Sequence, residues 1–181
     1  MIFCAINKSM IEILILYVIH KREKTLYGIR KEIIEIFGTF TKPSIGTIYP
    51  ALQRLLKDGA VSVFEKMSEG GKKSSYYSIT KKGHEVFKKL FFNSASENPS
   101  LFYTQLQARF GTMGLLSIDD RKLFLSEFSK KIDIYQFELE NKLKDEFLDL
   151  DYYQRQLLNK TLTELKSLRE YIKTLKVDHV G

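Results

Sequence analysis

The chain has 181 residues, with 44% hydrophobic and 28% charged side chains, which is the composition of a globular protein with one domain or two small ones. Its single cysteine, Cys4, excludes an internal disulfide and suits a reducing compartment, so we expect a cytoplasmic protein. The formal net charge of +7 is unevenly placed, because residues 1–92 carry sixteen Lys and Arg against eight Asp and Glu, whereas residues 93–181 carry thirteen against fourteen.

The N-terminal segment is strongly apolar but lacks the pattern of a signal peptide. No basic region precedes the apolar run, Glu12 interrupts it, and the charged residues 20–24 follow where a small-residue cleavage site would stand. No uncharged run reaches the roughly 18 apolar residues of a membrane span. The spacing instead predicts an amphipathic helix over about 8–20, with an inner face of Met10, Ile13, Leu14, Tyr17 and Val18.

Two further helices are expected before residue 60. The second covers about 27–37, has an inner face of Ile29, Ile33, Ile34 and Phe37, and stops at Gly38. The third begins after the N-cap residue Ser44 and ends near Gly59 as its C-cap. Its apolar stripe is Ile45, Ile48, Leu52, Leu55 and Leu56, and its opposite face carries Thr47, Gln53, Arg54 and Lys57.

Pro50 breaks a local rule of the third helix. It removes the N–H that would bond to the Gly46 carbonyl, at a cost of about 3 kcal/mol in an ordinary helix interior. Such violations often mark functional sites. The unpaired N–H groups and positive dipole end of a helix N-terminus suit an anionic surface, as do the small, hydroxyl and cationic residues here. The alternative at this point is a packed amphipathic helix with a solvated outer face.

A pair of short strands follows the third helix. Residues 61–66 and 75–79 alternate and are rich in β-forming residues, and residues 68–73 between them are typical of a hairpin turn. Three helices and a hairpin in this order predict a winged helix-turn-helix fold, in which the third helix enters the DNA major groove and the hairpin tip reaches the backbone or the adjacent minor groove. The basic excess of residues 1–92 agrees with a polyanionic partner.

The third helix resembles that of a known family. Residues 44–55, Ser-Ile-Gly-Thr-Ile-Tyr-Pro-Ala-Leu-Gln-Arg-Leu, closely resemble the recognition helix of PadR-type transcriptional regulators. Other segments within about 8–92 are similar to the family in the same order: Leu26-Tyr27-Gly28, Asp58-Gly59, Glu69-Gly70-Gly71, Tyr76-Tyr77, Ile79-Thr80 and Gly83. The chain departs from the family at Ile29, where an aromatic is frequent, and at Lys72 and Lys73, where arginine or proline is usual. Because lysine lacks the planar fork of arginine, wing contact with the DNA backbone is favoured over insertion into the minor groove.

The C-terminal half is expected to be helical. Thr80 caps a helix that ends near Phe92, and the polar segment 93–100 is the predicted domain boundary. Three helices follow, over about 101–116, 118–148 and 152–176. Two of them carry apolar stripes with coiled-coil-like spacing, which we predict to form a dimer interface: Leu125, Phe128, Ile132, Tyr135 and Leu139, and then Leu158, Leu162, Leu165, Leu168 and Ile172.

Burial against a second copy is the economical way to cover two long stripes, because three helices cannot readily hide both within one subunit. Resemblance to PadR-type proteins, whose C-terminal helices form the homodimer, implies the same arrangement. The alternative is an intramolecular hairpin packed on the first domain. Several aromatic residues are compatible with a ligand pocket, as in ligand-responsive family members, although core packing is the preferred interpretation: Phe102, Tyr103, Phe110, Phe124, Phe128 and Tyr135.

Catalytic and metal-binding chemistry has no candidate residues. The three histidines, His20, His84 and His179, and the lone Cys4 lack the paired spacings of metal sites, and we expect them at the surface. The glycine and lysine residues at 70–73 do not match a phosphate-binding loop, since Lys73 stands at the Ser/Thr position. We therefore expect neither an enzyme nor a bound cofactor.

The sequence predicts a mainly α-helical protein with a small β-hairpin. Residues 1–92 would form a winged helix-turn-helix DNA-binding domain, 93–100 a linker, and 101–181 an α-helical dimerisation and effector domain. The expected function is a homodimeric transcriptional regulator, a repressor that binds double-stranded DNA at an inverted repeat, with a small hydrophobic or aromatic effector left open. The alternative is a winged-helix adaptor that binds protein instead of DNA. Such an adaptor would not require the basic excess of residues 1–92, which therefore favours DNA binding. Phosphate contacts are expected from Lys42, Ser44, Tyr49, Lys72 and Lys73, and base contacts from Thr47, Gln53 and Arg54.

Overall fold

A computed structural model describes residues 2–67, 71, 73–93, 99–175 and 177 of the chain, without the side chains of residues 2–8 and 99–105. The elements are helices α1 (Ile2–Lys21), α2 (Leu26–Phe37) and α3 (Ile45–Lys57), strands β1 (Val61–Met67) and β2 (Lys73–Ile79), and helices α4 (Lys81–Phe92), α5 (Pro99–Thr112), α6 (Ile118–Lys144) and α7 (Tyr152–Thr174), with a 3₁₀ turn at Met113–Leu115. The predicted fold class, mainly helical with one antiparallel hairpin, is confirmed. By contacts the chain divides into two compact units, Met1–Leu115 and Leu116–Gly181.

The division by contacts differs from the one expected from sequence. The predicted boundary at 93–100 would separate α5 from the helices before it, whereas α5 packs against α1 within the first unit. At Gly111 of α5 a Cβ atom would lie 2.5 Å from the Phe37 ring, so glycine allows α5 to approach α2 closely. Residues 94–98 lie outside the described part of the chain, and the predicted linker and domain limits therefore stay predictions.

Helix α1 is the centre of the first unit. The sequence predicts an amphipathic helix with one inner face, but the structure buries residues 10–19 of α1 on nearly every side, because α2, α3, α4, α5 and β2 all pack around the helix. A helix surrounded in this way is apolar all round. Its buried side chains are Met10, Ile11, Ile13, Leu14, Ile15, Leu16, Val18 and Ile19.

Side-chain caps set where three of these helices begin. The hydroxyls of Thr25, Ser44 and Thr80 accept hydrogen bonds from the backbone N–H three residues later, as expected for N-caps, so the predicted caps at Ser44 and Thr80 are confirmed. At its other end, α3 is capped by Asp58, and Gly59 follows with a φ of 68°, a left-handed conformation that glycine adopts without strain.

The hairpin is anchored at its base. Strands β1 and β2 pair from Val61 with Ile79 to Met67 with Lys73. Lys24, in the loop before α2, adds two backbone hydrogen bonds to Tyr77, of 3.1 and 2.8 Å. The predicted turn at 68–73 falls mostly outside the described residues, which include only residues 71 and 73 of it.

The second unit is a helical hairpin of α6 and α7. Helix α6 ends at Lys144, four residues earlier than expected, because Asp145 has an extended backbone and its carboxylate accepts a hydrogen bond of 2.9 Å from the N–H of Phe147. The two predicted stripes face each other inside this hairpin, held further by an Arg169–Asp133 ion pair of 2.9 Å. The residues buried in it include Phe124, Leu125, Phe128, Ile132, Leu165 and Ile172.

Candidate nucleic-acid interface

Helix α3 presents a continuous exposed face. Its inner residues are fully buried against the core, namely Ile48, Ala51, Leu52 and Leu55, each at most 1% exposed. The exposed face contains Gly46, Thr47, Tyr49, Pro50, Gln53 and Lys57. The predicted amphipathic division is therefore confirmed, and α3 has a polar outer surface one helix wide that no described element covers.

The N-terminus of α3 is held in a defined geometry. The Ser44 hydroxyl accepts the Thr47 N–H at 3.2 Å and lies 3.0 Å from the Thr47 hydroxyl. Before it, the Arg30 guanidinium donates to the Pro43 carbonyl at 3.2 Å, which fixes the loop that delivers the helix. Lys42 is exposed beside this terminus. Hydroxyl groups, a lysine and the positive end of the helix dipole therefore converge on one exposed patch, which favours an anion.

Because Gly46 has no side chain, the helix backbone is close to the surface of this patch. A Cβ atom there would meet only the Ser44 hydroxyl, at 3.6 Å, which is an ordinary contact. The chain's own packing therefore does not require glycine at position 46, although glycine is a poor helix former. A residue without a side chain at an exposed first turn is useful where another backbone must approach closely.

Arg54 and Gln53 differ in their surroundings, although the sequence predicts both as base readers. Gln53 is exposed. Arg54 is half-buried, and its Nε donates to Glu12 Oε1 of α1 at 2.7 Å. Sequence reasoning noted Glu12 only as an interruption of the apolar N-terminal run. A lone acid within an otherwise buried helix was the available signal, because such a charge needs a cationic partner.

The hairpin contributes fewer free cations than expected. Lys73 is exposed but forms an ion pair with Glu65 across the hairpin, and Lys72 lies outside the described residues. Lys66, which the sequence analysis did not single out, pairs with Glu23 at 3.1 Å and lies over the Tyr76 ring. Both lysines in the described part of the hairpin are therefore paired with carboxylates, in exposed ion pairs that are weak and can rearrange near a phosphate.

Tyr49 connects α3 with the hairpin. Its side chain is 48% exposed, as expected for a residue that contacts an external partner. Burial raises the pKa of Tyr77, and the nearby Tyr49 phenol raises it further. Because Tyr77 is also the hairpin residue paired with Lys24, these tyrosines place the exposed face of α3 beside a fixed point of the wing.

Two of the three histidines lie together. The rings of His20 and His84 meet edge to face with centroids 5.2 Å apart, and both side chains are exposed, as expected. Burial lowers the pKa of His20, and the charges of His84 and Lys21 lower it further. His179 lies outside the described residues, among which no three His, Cys, Asp or Glu side chains are grouped as a metal site.

The residues predicted for the dimer interface fall into two groups. Five are already buried within one chain, since α6 packs on α7: Leu125, Phe128, Ile132, Leu165 and Ile172. The other five are partly exposed: Tyr135, Leu139, Leu158, Leu162 and Leu168. A side chain buried in its own hairpin has little surface left to offer a second chain. The structure thus contains the intramolecular helical hairpin that was the alternative to a dimer. The assignment of these residues to a dimer interface stays a prediction.

Two of the aromatic residues considered for a ligand pocket are packed together in the described structure. Phe124 and Phe128 stack on each other with centroids 5.7 Å apart and are nearly buried, which agrees with core packing. The side chains of Phe102 and Tyr103 lie outside the description. A shallow groove of about 590 Å³ in the second unit is lined by polar and charged residues: Gln136, Lys166, Ser167, Arg169 and Glu170.

Comparison with known proteins identifies the first unit. Residues 15–89 match the family model of the transcriptional regulator PadR-like family. A PadR-like transcriptional regulator from Bacillus cereus strain ATCC 14579 is 34% identical, over 48% of this chain and 82% of its own, with a TM-score of 0.42. The chain belongs to the PadR-like family of transcriptional regulators. The prediction of a non-enzymatic transcriptional regulator is confirmed by this membership.

More distant PadR structures extend over most of the chain. Bacillus subtilis PadR in complex with operator DNA is 17% identical over 90% of this PadR-like chain and 95% of its own, with a TM-score of 0.41. The same protein in complex with p-coumaric acid is 20% identical over 92% and 93%, with a TM-score of 0.39. No curated protein matches this chain.

The described helices of this PadR-like regulator include none that is long and apolar enough to cross a membrane.

Proposed function

We propose that this PadR-like regulator is a homodimeric repressor that places two α3 helices in successive major grooves of an inverted-repeat operator. The observation that carries the proposal is the exposed polar face of α3, with a capped N-terminus beside Lys42 and a buried opposite face. A helix of this kind fits the major groove with its N-terminal residues toward the bases. The basic excess of residues 1–92 supplies the sequence-independent attraction to DNA.

The residues divide by the contacts that their chemistry allows. We assign phosphate contacts to Lys42, Ser44, Tyr49, Lys72 and Lys73, because cationic and hydroxyl groups at the edge of a reading helix position it on the backbone. We assign base contacts to Thr47, Gln53 and Arg54, since hydroxyl, amide and guanidinium groups match base edges in the major groove. Phosphate competes with Glu65 for the exposed ammonium of Lys73, and the contribution of Lys73 therefore depends on salt.

For the dimer contact we propose the outer sides of the α6–α7 hairpin. Leu123, Ile134 and Phe137 are 50%, 55% and 66% exposed and share one face of α6. Tyr153 and Tyr171, five helical turns apart on α7, are 80% and 53% exposed. A second copy is the occupant that fits, because residues 93–181 are nearly balanced in charge and an isologous contact joins like surfaces.

The dimer has a direct test. Ile134→Glu and Phe137→Glu place charges on the proposed contact without entering the buried side of α6. We expect light scattering at micromolar concentration to give a dimer for the native chain and a monomer for the double variant. Lys142→Glu, at an exposed position of the same helix about a quarter of a turn or more around it from these residues, is the control and should remain dimeric. A native chain that stays monomeric would contradict the proposed assembly.

Operator binding is tested by selection. Random duplexes are enriched on the native protein, and the recovered site is compared with mixed-sequence DNA by gel shift at several salt concentrations. We expect an inverted repeat whose half-site centres lie about one helical turn, or a multiple, apart. Transcription from a promoter that carries this site should fall when the protein is added. Absence of any enriched sequence would refute operator binding, whereas increased transcription would refute only repression.

An effector remains part of the proposal as the regulatory input. A small hydrophobic or aromatic molecule would act by changing how α6 and α7 pack, and hence the separation of the two reading helices. Titration of a set of phenolic acids against the operator complex tests this step. An operator affinity that no member of the set changes would remove these acids from the candidates.

A further inference from the structure

Glu12 lies against the back of the reading helix. Its side chain is 13% exposed, in the stretch of α1 where Ile11 and Ile13 are buried, and its Oε1 accepts the Arg54 Nε–H at 2.7 Å. Arg54 is 40% exposed, so the guanidinium has one side on Glu12 and another side toward solvent. Arg54 also follows Thr47 by seven residues, which is two helical turns, and therefore lies along the same edge of the exposed face.

The contact uses only one part of the arginine. A guanidinium carries five N–H donors in a rigid plane, and the hydrogen bond to Glu12 takes the Nε–H. The two terminal nitrogens of Arg54 donate no hydrogen bond to any other described residue. These nitrogens form the edge that recognises two acceptors at once, such as O6 and N7 of guanine. Glu12 thus holds the plane of the guanidinium and leaves its reading edge free.

A stabilising role alone does not account for the pair. Helices α1 and α3 already share an apolar interface in which Ile48 and Leu52 are fully buried. A carboxylate taken largely out of water loses hydration energy, and such ion pairs are weak evidence for stability. Orientation is a different matter, because an arginine that is already fixed loses less conformational entropy when it binds.

We propose that Glu12 is a positioning residue for sequence recognition: it orients Arg54 so that the terminal nitrogens read one base pair in each half-site. This inference rests on the proposed operator binding and adds a residue that does not touch DNA. The negative charge of Glu12 slightly opposes the approach of any phosphate backbone. Glu12 therefore increases discrimination between sequences. It leaves the affinity for DNA in general unchanged or lowers it.

The test compares specific and general affinity in the full-length protein. Dissociation constants are measured for the selected operator and for a mixed-sequence duplex, with Glu12→Ala, Glu12→Gln, Arg54→Ala and the double alanine variant. Glu35→Ala removes an exposed carboxylate from α2 in the same unit and is the matched control. Single base-pair substitutions across the operator locate the position at which each variant loses discrimination.

We expect Glu12→Ala to lower the ratio of operator to mixed-sequence affinity by about fivefold to tenfold, the effect of freeing one long side chain in each of the two half-sites. The loss should fall at the base pair where Arg54→Ala also loses discrimination, and the affinity for mixed DNA should be unchanged or tighter. The double variant should lose no more than Arg54→Ala alone. Glu12→Gln should keep part of the preference, since its amide oxygen still accepts the Nε–H, and Glu35→Ala should keep all of it.

Three outcomes would overturn the inference. In the first, Glu12→Ala and Glu12→Gln have the same ratio of operator to mixed-sequence affinity as the native chain. In the second, Glu12→Ala loses the same factor of affinity for both duplexes. In the third, the factors lost by Glu12→Ala and Arg54→Ala multiply in the double variant. Because Glu12→Gln keeps the shape and the hydrogen bond, it decides the matter if the alanine variant does not fold. A native protein that enriches no operator refutes the proposed function itself, and this result is separate from any comparison of variants.

Discussion

Replacing Gly46 with alanine should raise stability and weaken operator binding, two effects of opposite sign. The Cβ of alanine would meet only the Ser44 hydroxyl, at 3.6 Å, so the folded chain accepts it without a clash. Alanine also reduces the conformational freedom of the unfolded chain, and such a change at a compatible position stabilises a protein by about 0.4–1 kcal/mol. For a unit of this size we expect the melting temperature to rise by about 2–4 °C.

The loss of DNA affinity has a separate cause. If the first turn of α3 approaches the DNA closely, as proposed, a methyl group at position 46 lies in the contact. Overfilling a packed contact costs about 1–3 kcal/mol, and a cost of about 1.4 kcal/mol within this range is tenfold in the dissociation constant. We therefore expect operator affinity to fall by about tenfold while the melting temperature rises.

Gel shift and thermal melting on the same preparation measure both quantities. Gly114→Ala is the matched control, because a Cβ atom at Gly114 meets no described atom within 4 Å and lies outside α3. It should leave operator affinity unchanged. If Gly46→Ala binds the operator as tightly as the native protein, the first turn of α3 does not approach DNA closely. A lower melting temperature would instead refute the account of its stability.

Further predictions concern the scaffold of the interface. Gly83→Ala should destabilise the first unit by about 1–3 kcal/mol, because its Cβ would lie 2.2 Å from the Ala60 carbonyl oxygen, and chemical denaturation measures the loss. Ile132→Ala, at a fully buried position between α6 and α7, should lower the free energy of unfolding of the second unit by about 2–5 kcal/mol. In a thermal melt followed by circular dichroism, part of the helical signal should therefore be lost at a lower temperature than in the native chain. The lowered pKa of His20 means that the folded protein binds protons less readily than the unfolded chain, so stability should decline as the pH falls below the usual histidine value of 6.5. His20→Gln should flatten this decline in melting curves between pH 7 and pH 5, and an unchanged slope would assign the pH dependence to other groups.

Local sequence was sufficient for the elements of the first unit. The caps at Ser44 and Thr80, the apolar stripe of α3 and the alternation in the two strands each depend on residues within one or two turns of each other. They are therefore visible in the order of residues alone. The same is true of the family resemblance, since the string from Ser44 to Leu55 is contiguous.

Pairing across the chain was not visible in this way. Arg54 and Glu12 are 42 residues apart, and nothing local shows that the arginine of the reading helix has one side occupied. Lys73 likewise appeared as a free cation until the hairpin register placed it beside Glu65. Charge content is a property of composition, whereas the availability of each charge depends on which elements meet.

The sequence by itself determined that the chain is a mainly helical regulator with a winged helix, because periodicity, caps and a contiguous motif are local properties. Only the tertiary structure decided that α1 is enclosed on nearly all sides and that the two C-terminal stripes cover each other. An apolar stripe states that a surface must leave water, but it does not say which surface will cover it. That choice depends on chain connection and packing, and here the short loop between α6 and α7 brings each stripe to the other within one chain.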